Sequence, residues 1–294
     1  MAYRAQIAKG RIAKGKRLYS PLAICVAGGL LVAGCNGKSE DLNFGGPVDP
    51  AIGSETNIAS LSEVIRKNPG DAGAYNVRGT AYGLARKYDL AIKDFGTAIR
   101  LDPRYFQAYA NRALVERHMG REDLALRDYS KAIEINPGYD VALIGRGNIY
   151  RRAGKLDLAL NDFDAAIRLN SGDARAYHSR ALIHQKRGKH RQAIEDFTTA
   201  IGLDAKAPAP YNGRGLSYLA IDKPLIALED FNRAVYLDKK YAEAWANRGA
   251  ALEVMGKKQS ARAAYNKALA IQPGYEPARE GLSRLNRGTP IIRT

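Results

Sequence analysis

The stretch AYANRALVERHMGREDLALRDYSKAIEINP, Ala108 to Pro137, decides the fold. It holds two apolar patterns at helical spacing with a short polar turn between them. Gly120 ends the first, at a turn where a left-handed backbone favours glycine. Asp123 opens the second, where a carboxylate faces the positive end of the helix dipole. Pro137 closes it, because proline cannot continue a helix comfortably. One such pair cannot bury its apolar stripes alone, whereas stacked neighbours can.

The same pattern recurs at a step of 34 residues, without insertion or deletion, over 72–105, 106–139, 140–173, 174–207, 208–241 and 242–275. The turn glycine returns as Gly154, Gly188 and Gly256, the opening carboxylate as Asp89 and Asp157, and the closing proline as Pro69, Pro103 and Pro273. With Tyr75, Gly79, Tyr82, Ala91, Phe95, Ala98 and Pro103 at their places in the first unit, the units resemble the tetratricopeptide repeat family. The resemblance spans 72–275 and implies an all-α fold, a right-handed α-solenoid of six tetratricopeptide helix pairs. Departures are local. Leu143 replaces an opening aromatic, Ser171, Ala205 and Lys239 replace the closing proline, and Pro224 stands at a helix start, where it is tolerated. Residues 55–71 read as a leading half-repeat with Ile58, Leu61 and Ile65 on one face. Residues 276–286 read as a capping helix whose Leu282 and Leu285 cover the last unit, so that N- and C-terminal capping helices close a solenoid over 55–286. A disordered tail, 287–294, follows.

An arginine recurs inside each first helix: Arg78, Arg112, Arg146, Arg180, Arg214 and Arg248. Such a column is either a ladder of ligand contacts or a structural part copied along the chain. In an antiparallel pair the residues nearest the turn face each other and pairing runs outward. If Tyr82 meets Ala91 and Tyr75 meets Ala98, Arg78 lies by Asp94. The same register sets Arg112 by Asp128, Arg146 by Asp162, Arg180 by Asp196 and Arg214 by Asp230, and leaves Arg248 facing Ala264. The column is therefore read as an internal clasp, with each arginine stem over an aromatic ring and its fork on a carboxylate.

The N-terminus points to a compartment. A basic start and the apolar run Leu22–Ala33, too short to span a bilayer as a helix, read as a secretory signal over 1–34. The ending LVAGC resembles the lipobox of bacterial lipoproteins, which implies lipidation of Cys35 after cleavage; an ordinary cleaved signal or a weak membrane anchor is the alternative. Removal of 1–34 takes the net charge from +16 to +10, and takes Cys25 with it, so no disulfide or cysteine metal site remains. Residues 35–54, rich in Gly and Pro, read as a flexible tether. Asn36, not aspartate, follows Cys35, which by the same resemblance favours the outer membrane, facing the periplasm.

Nothing in the chain is left over for catalysis or for a cofactor. The four histidines form no HxxxH pair and no carboxylates frame them as metal ligands; most are read as solvated. The expected ligand surface is the concave face that the repeat family builds from its first helices. There Arg117, His118, Asn148, Arg151, Arg152, Arg175 and Lys186 form a basic, amide-containing patch suited to an acidic or carboxylate-bearing protein segment, although a merely solvated polar face has the same composition. The lysine by which chaperone-binding members of the family grip a carboxylate is missing from the column Asn76, Ala110, Ile144, His178, Asn212, Ala246. The reading is a non-enzymatic, lipid-anchored adaptor in a bacterial envelope, serving pilus or secretin assembly or docking cell-wall enzymes. The alternative is a peptidoglycan-binding module, with Tyr105, Tyr139 and Tyr241 stacking on sugars. Nucleic acid is not expected as a partner, because the positive charge is scattered and an exported chain does not meet it.

Overall fold

The computed structural model describes Leu42, Phe44 and residues 50–287, all within one compact unit that extends over 35–291. The signal segment, Cys35 and residues 288–294 lie outside the described residues. The described part is all-helical. After a single 3-10 turn at Pro50–Gly53 come α1 (Glu55–Lys67), α2 (Ala72–Leu84), α3 (Tyr88–Leu101), α4 (Phe106–His118), α5 (Glu122–Ile135), α6 (Asp140–Arg152) and α7 (Leu156–Leu169). There follow α8 (Ala174–Lys186), α9 (His190–Leu203), α10 (Pro208–Ala220), α11 (Pro224–Leu237), α12 (Ala242–Val254), α13 (Lys258–Ile271) and α14 (Glu276–Arg287). Arg287, expected to open the tail, is thus the last residue of α14. No described helix is long and apolar enough to cross a membrane.

Helices pack in successive pairs, α2 with α3 through α12 with α13, and each pair packs on the next. Three-residue turns force each pair to fold back on itself. At Gly154 the turn reaches φ +74°, a left-handed backbone that costs a side-chain-bearing residue roughly 1–2 kcal/mol. Where glycine is absent the chain accepts that cost, at Arg86 and Asp222.

The core is a row of aromatic rings from the second helix of each pair. Phe95, Phe163, Phe197, Phe231 and Tyr265 are fully buried, and Tyr129 nearly so. Burial of each ring contributes about 1.5–3 kcal/mol. Small residues on the first helices make the space for them. At Gly147 an added methyl would stand 2.8 Å from Phe163 Cε1, so the glycine is required by the ring. Alanines at 0 % exposure (Ala91, Ala125, Ala159, Ala193, Ala227, Ala261) let the paired backbones approach.

Both ends are capped. α1 buries Ile58 and Ile65 against the first pair. α14 buries Ala278 and Leu285 against α12 and α13, with Leu282 packed beside them. Arg284 donates to the buried Glu253 carboxylate at 3.2 Å, and the Tyr265 hydroxyl donates to the same group at 2.6 Å.

Inside the segment read as a free tether, Leu42 is 6 % exposed and Phe44 half-buried. They share a core cluster with Phe95, Leu114 and Val115, and the Phe44 ring centroid stands 6.4 Å from that of Phe95. Gly83 makes this possible: a methyl there would meet Phe44 Cζ at 2.8 Å. The Gly and Pro content of 35–54 hid two apolar anchors, Leu42 and Phe44, spaced for an extended chain.

Candidate interaction groove and arginine clasp

The repeated arginines face their own second helices. Arg78 Nε donates to Asp94 Oδ2 at 2.7 Å and its Nη2 to Oδ1 at 2.8 Å. The same two-pronged bond joins Arg112 to Asp128 (2.6 and 2.8 Å), Arg146 to Asp162 (2.9 and 2.8 Å), Arg180 to Asp196 (2.8 and 2.7 Å) and Arg214 to Asp230 (2.9 and 2.7 Å). Hydrogen bonding by the aspartates holds these guanidinium groups above their ordinary pKa. Each arginine also lies over an aromatic ring of its own helix, Arg180 5.7 Å from the Tyr177 centroid.

A second partner, not visible in the pairwise register, stands 16 residues upstream. Arg78 Nη1 reaches Ser62 Oγ at 3.1 Å, Arg180 Nη1 reaches Asp164 Oδ1 at 2.7 Å and Arg214 Nη1 reaches Thr198 Oγ1 at 3.1 Å. The arginine therefore joins two consecutive second helices through the first helix between them. That row also supplies Asn232, which accepts from Arg248 Nε at 2.7 Å. The signal was legible, as a polar column at Ser62, Ser130, Asp164, Thr198 and Asn232, broken by Gly96.

The other expected residues divide. Arg117, Asn148, Arg151, Arg152 and Arg175 line one groove, about 460 Å3 in volume, across α4, α6, α8 and the start of α10. Its apolar lining includes Phe44, Leu114, Ile144 and Leu182. His118 does not line it; the imidazole Nε2 lies 2.9 Å from the Tyr88 hydroxyl at the turn end of α4. Lys186 is exposed and also outside the lining. The patch is less free than a solvated face. Arg152 Nε pairs with Glu122 at 2.8 Å, Arg175 forks onto Asp173 at 2.6 Å, and Arg151 Nε donates to Asn148 Oδ1 at 3.4 Å. Arg117 lies by the buried Tyr129 phenol, whose pKa burial raises to about 12 against the opposing effect of the Arg117 charge. The histidines are half-buried, not solvated: the His178 ring packs 5.5 Å from Phe197, and His184 Nε2 stands 3.7 Å from Asp196. Among the described residues no group of three His, Cys, Asp or Glu is arranged for a metal ion.

Tyrosines proposed for sugar stacking sit between units. The Tyr139 ring meets Phe106 edge-on at 4.9 Å, and Tyr241 packs in the cluster of Tyr211 and Ala244 while its hydroxyl accepts from Asn212 Nδ2 at 3.3 Å. These contacts pack Tyr139 and Tyr241 at the junctions between units.

Comparison with known proteins agrees with this geometry. Models described as tetratricopeptide repeats match 72–105, 106–139, 174–206 and 242–275, and a further TPR repeat model matches 147–188. The chain belongs to the tetratricopeptide repeat family, whose fold is a protein-interaction scaffold. The small glutamine-rich tetratricopeptide repeat-containing protein 2 of Saccharomyces cerevisiae is 33% identical over 84 residues, 28% of this chain and 24% of that protein. Among solved structures, the APC/C hetero-tetramer Cut9–Hcn1 is similar with TM-score 0.72 at 18% identity, covering 80% of this chain and 47% of that one. PilW, described as a widely conserved type IV pilus biogenesis factor, is similar with TM-score 0.65 at 16% identity, covering 72% of this chain and 98% of that one. The chain spans about a quarter of the curated relative and under half of the matched chain of the Cut9–Hcn1 structure, and the structural likenesses are likenesses of fold.

Proposed function

We propose that this protein is a non-enzymatic adaptor that holds an extended, carboxylate-bearing protein segment in the groove across α4, α6, α8 and α10. The observation that carries the reading is the groove's composition: arginines and amides on rigid helices beside an apolar lining, with the arginine column turned away into its clasp. Arginine forks suit carboxylates, and Arg151 and Arg152 both line the groove from the last turn of α6. The apolar lining accepts alternate side chains of an extended strand.

The proposal extends to place. The signal segment and LVAGC support lipidation at Cys35 and display on the periplasmic side of an outer membrane. The fold likeness to PilW supports a role in assembly of an envelope machine such as a pilus. Two measurements test this. Fatty-acid labelling should mark the wild type and not Cys35→Ala; an unlabelled wild type removes the anchor. Fluorescence anisotropy should show an acidic extended peptide binding, at least tenfold weaker when Arg151 and Arg152 are both changed to Glu. Equal affinity in that variant removes the groove's arginines from the reading.

A further inference from the structure

A second hollow, about 440 Å3, lies between α10, α12 and the end of α13. Ala209 lines both it and the arginine groove, so the two are neighbouring stretches of one surface. The chemistry changes sign along it. The second hollow presents the Glu243 carboxylate with Tyr241 and Tyr275 beside it. Burial, and after it the Glu243 charge, holds both phenols above their ordinary pKa.

Glu243 is an unusual carboxylate for this chain. Among the described residues it makes no ion pair, although the clasp aspartates, Glu116 and Glu253 all have one. Its one hydrogen bond is from Asn212 Nδ2 at 3.0 Å. Asn212 is itself held, because its Oδ1 accepts from Asn247 Nδ2 at 2.9 Å and its amide also reaches the Tyr241 hydroxyl. Burial raises the carboxyl pKa above its ordinary value. The first turn of α12 favours a negative charge at this place, but a helix end supplies only a partial charge. A largely buried carboxylate is normally neutralised by a full one. Tyrosine rings attract cations, and Tyr241 and Tyr275 are both among the residues that line the hollow. Asp238 adds negative charge, and the hollow's one cation, Lys240, is exposed and forms no ion pair with Glu243.

We propose that the Glu243–Tyr241–Tyr275 hollow takes a lysine or arginine side chain of the same partner segment whose carboxylates lie on Arg151 and Arg152. This rests on the groove reading given above and adds a direction to it. The segment must run with its acidic end toward α4 and α6 and its cationic residue at α12. A bipolar ligand in the reverse sense would set like charges against each other at both ends, which is costly.

The test uses the full protein and three synthetic peptides: an acidic extended peptide, the same peptide with an arginine toward the end expected at α12, and a short capped Gly-Arg-Gly peptide. The arginine should tighten binding of the long peptide about tenfold in wild type. In Glu243→Gln, which keeps shape and hydrogen bonding, that gain should vanish while the purely acidic peptide binds as before. Tyr275→Leu, checked for folding by circular dichroism, should reduce the gain severalfold. The short peptide should shift the Tyr241 and Tyr275 ring resonances in wild type and not in Glu243→Gln. Retention of the full arginine gain in Glu243→Gln, or no ring shifts with the short peptide, overturns the cation pocket. Ring shifts with the short peptide, together with no binding of the acidic one, would uphold the pocket and discard the groove reading instead.

Discussion

Arg248 Nε donates to Asn232 Oδ1 at 2.7 Å, and opposite it stands Ala264 where the other pairs carry aspartate. The last unit therefore keeps the upstream half of the clasp and lacks the downstream half. Burial without a carboxylate also lowers the Arg248 pKa, the reverse of its five counterparts. Ala264→Asp should complete the clasp. The expected gain is on the order of 1 kcal/mol, the scale of a partly exposed ion pair with good geometry. Thermal melts read it directly. A lower melting temperature in Ala264→Asp, equal to that of the Ala264→Asp/Arg248→Ala double variant, would show that no pair had formed.

Within a complete clasp the reverse change should cost more than an exposed pair contributes. Asp162→Ala leaves the Arg146 guanidinium, with 22% of its side chain exposed, over the Tyr150 ring at 5.8 Å and with Ser130 Oγ at 3.5 Å as its remaining hydrogen-bond partner. The guanidinium keeps some water, so the loss should be about 1–3 kcal/mol, below the figure for a fully buried charge. The comparison with Arg146→Ala/Asp162→Ala separates the pair from the penalty of an orphaned charge; the double variant should be the more stable of the two.

Leu42 and Phe44 test whether the segment before α1 belongs to the folded unit. Leu42→Ala should destabilise the first helix pairs by about 2 kcal/mol, the low end for a buried leucine. Hydrogen exchange should speed in α2 and α4 and stay unchanged in α12 and α13, since in a repeat array each unit feels its neighbours. Unchanged exchange in α2 would return the segment to a free tether.

The Glu243 carboxyl carries a pH signature. Its pKa in the folded state lies above the ordinary value of 4.5, so the folded state binds the proton more readily than the unfolded chain. Stability then falls as pH rises through the window above 4.5 and is highest below it. Tyr241 and Tyr275 add the same sense at alkaline pH, being raised above 10.0 by burial. Glu243→Gln should melt higher than wild type at pH 7 and close to it at pH 4. A lower melting temperature at pH 7 would mean that the charge is stabilising where it sits.

Much of this molecule was readable in one dimension because each unit is a local object. A 34-residue step, turn glycines such as Gly154 and the aromatic row from Phe95 to Tyr265 define helices, turns and pairing register without any long-range contact. The arginine–aspartate register followed from that alone, because two helices joined by a three-residue turn can only fold back one way. Tertiary structure decided the rest. It brought Ser62, Asp164 and Asn232 to arginines one unit on, set Leu42 and Phe44 onto the first pair, and tied Arg152 to Glu122 of the preceding unit. It also placed Glu243, an ordinary first-turn glutamate by its spacing, in a hollow with two tyrosines and, among the described residues, without an ion pair. These relationships join residues of different units, and they depend on the stacking angle between repeats, which no single 34-residue unit encodes.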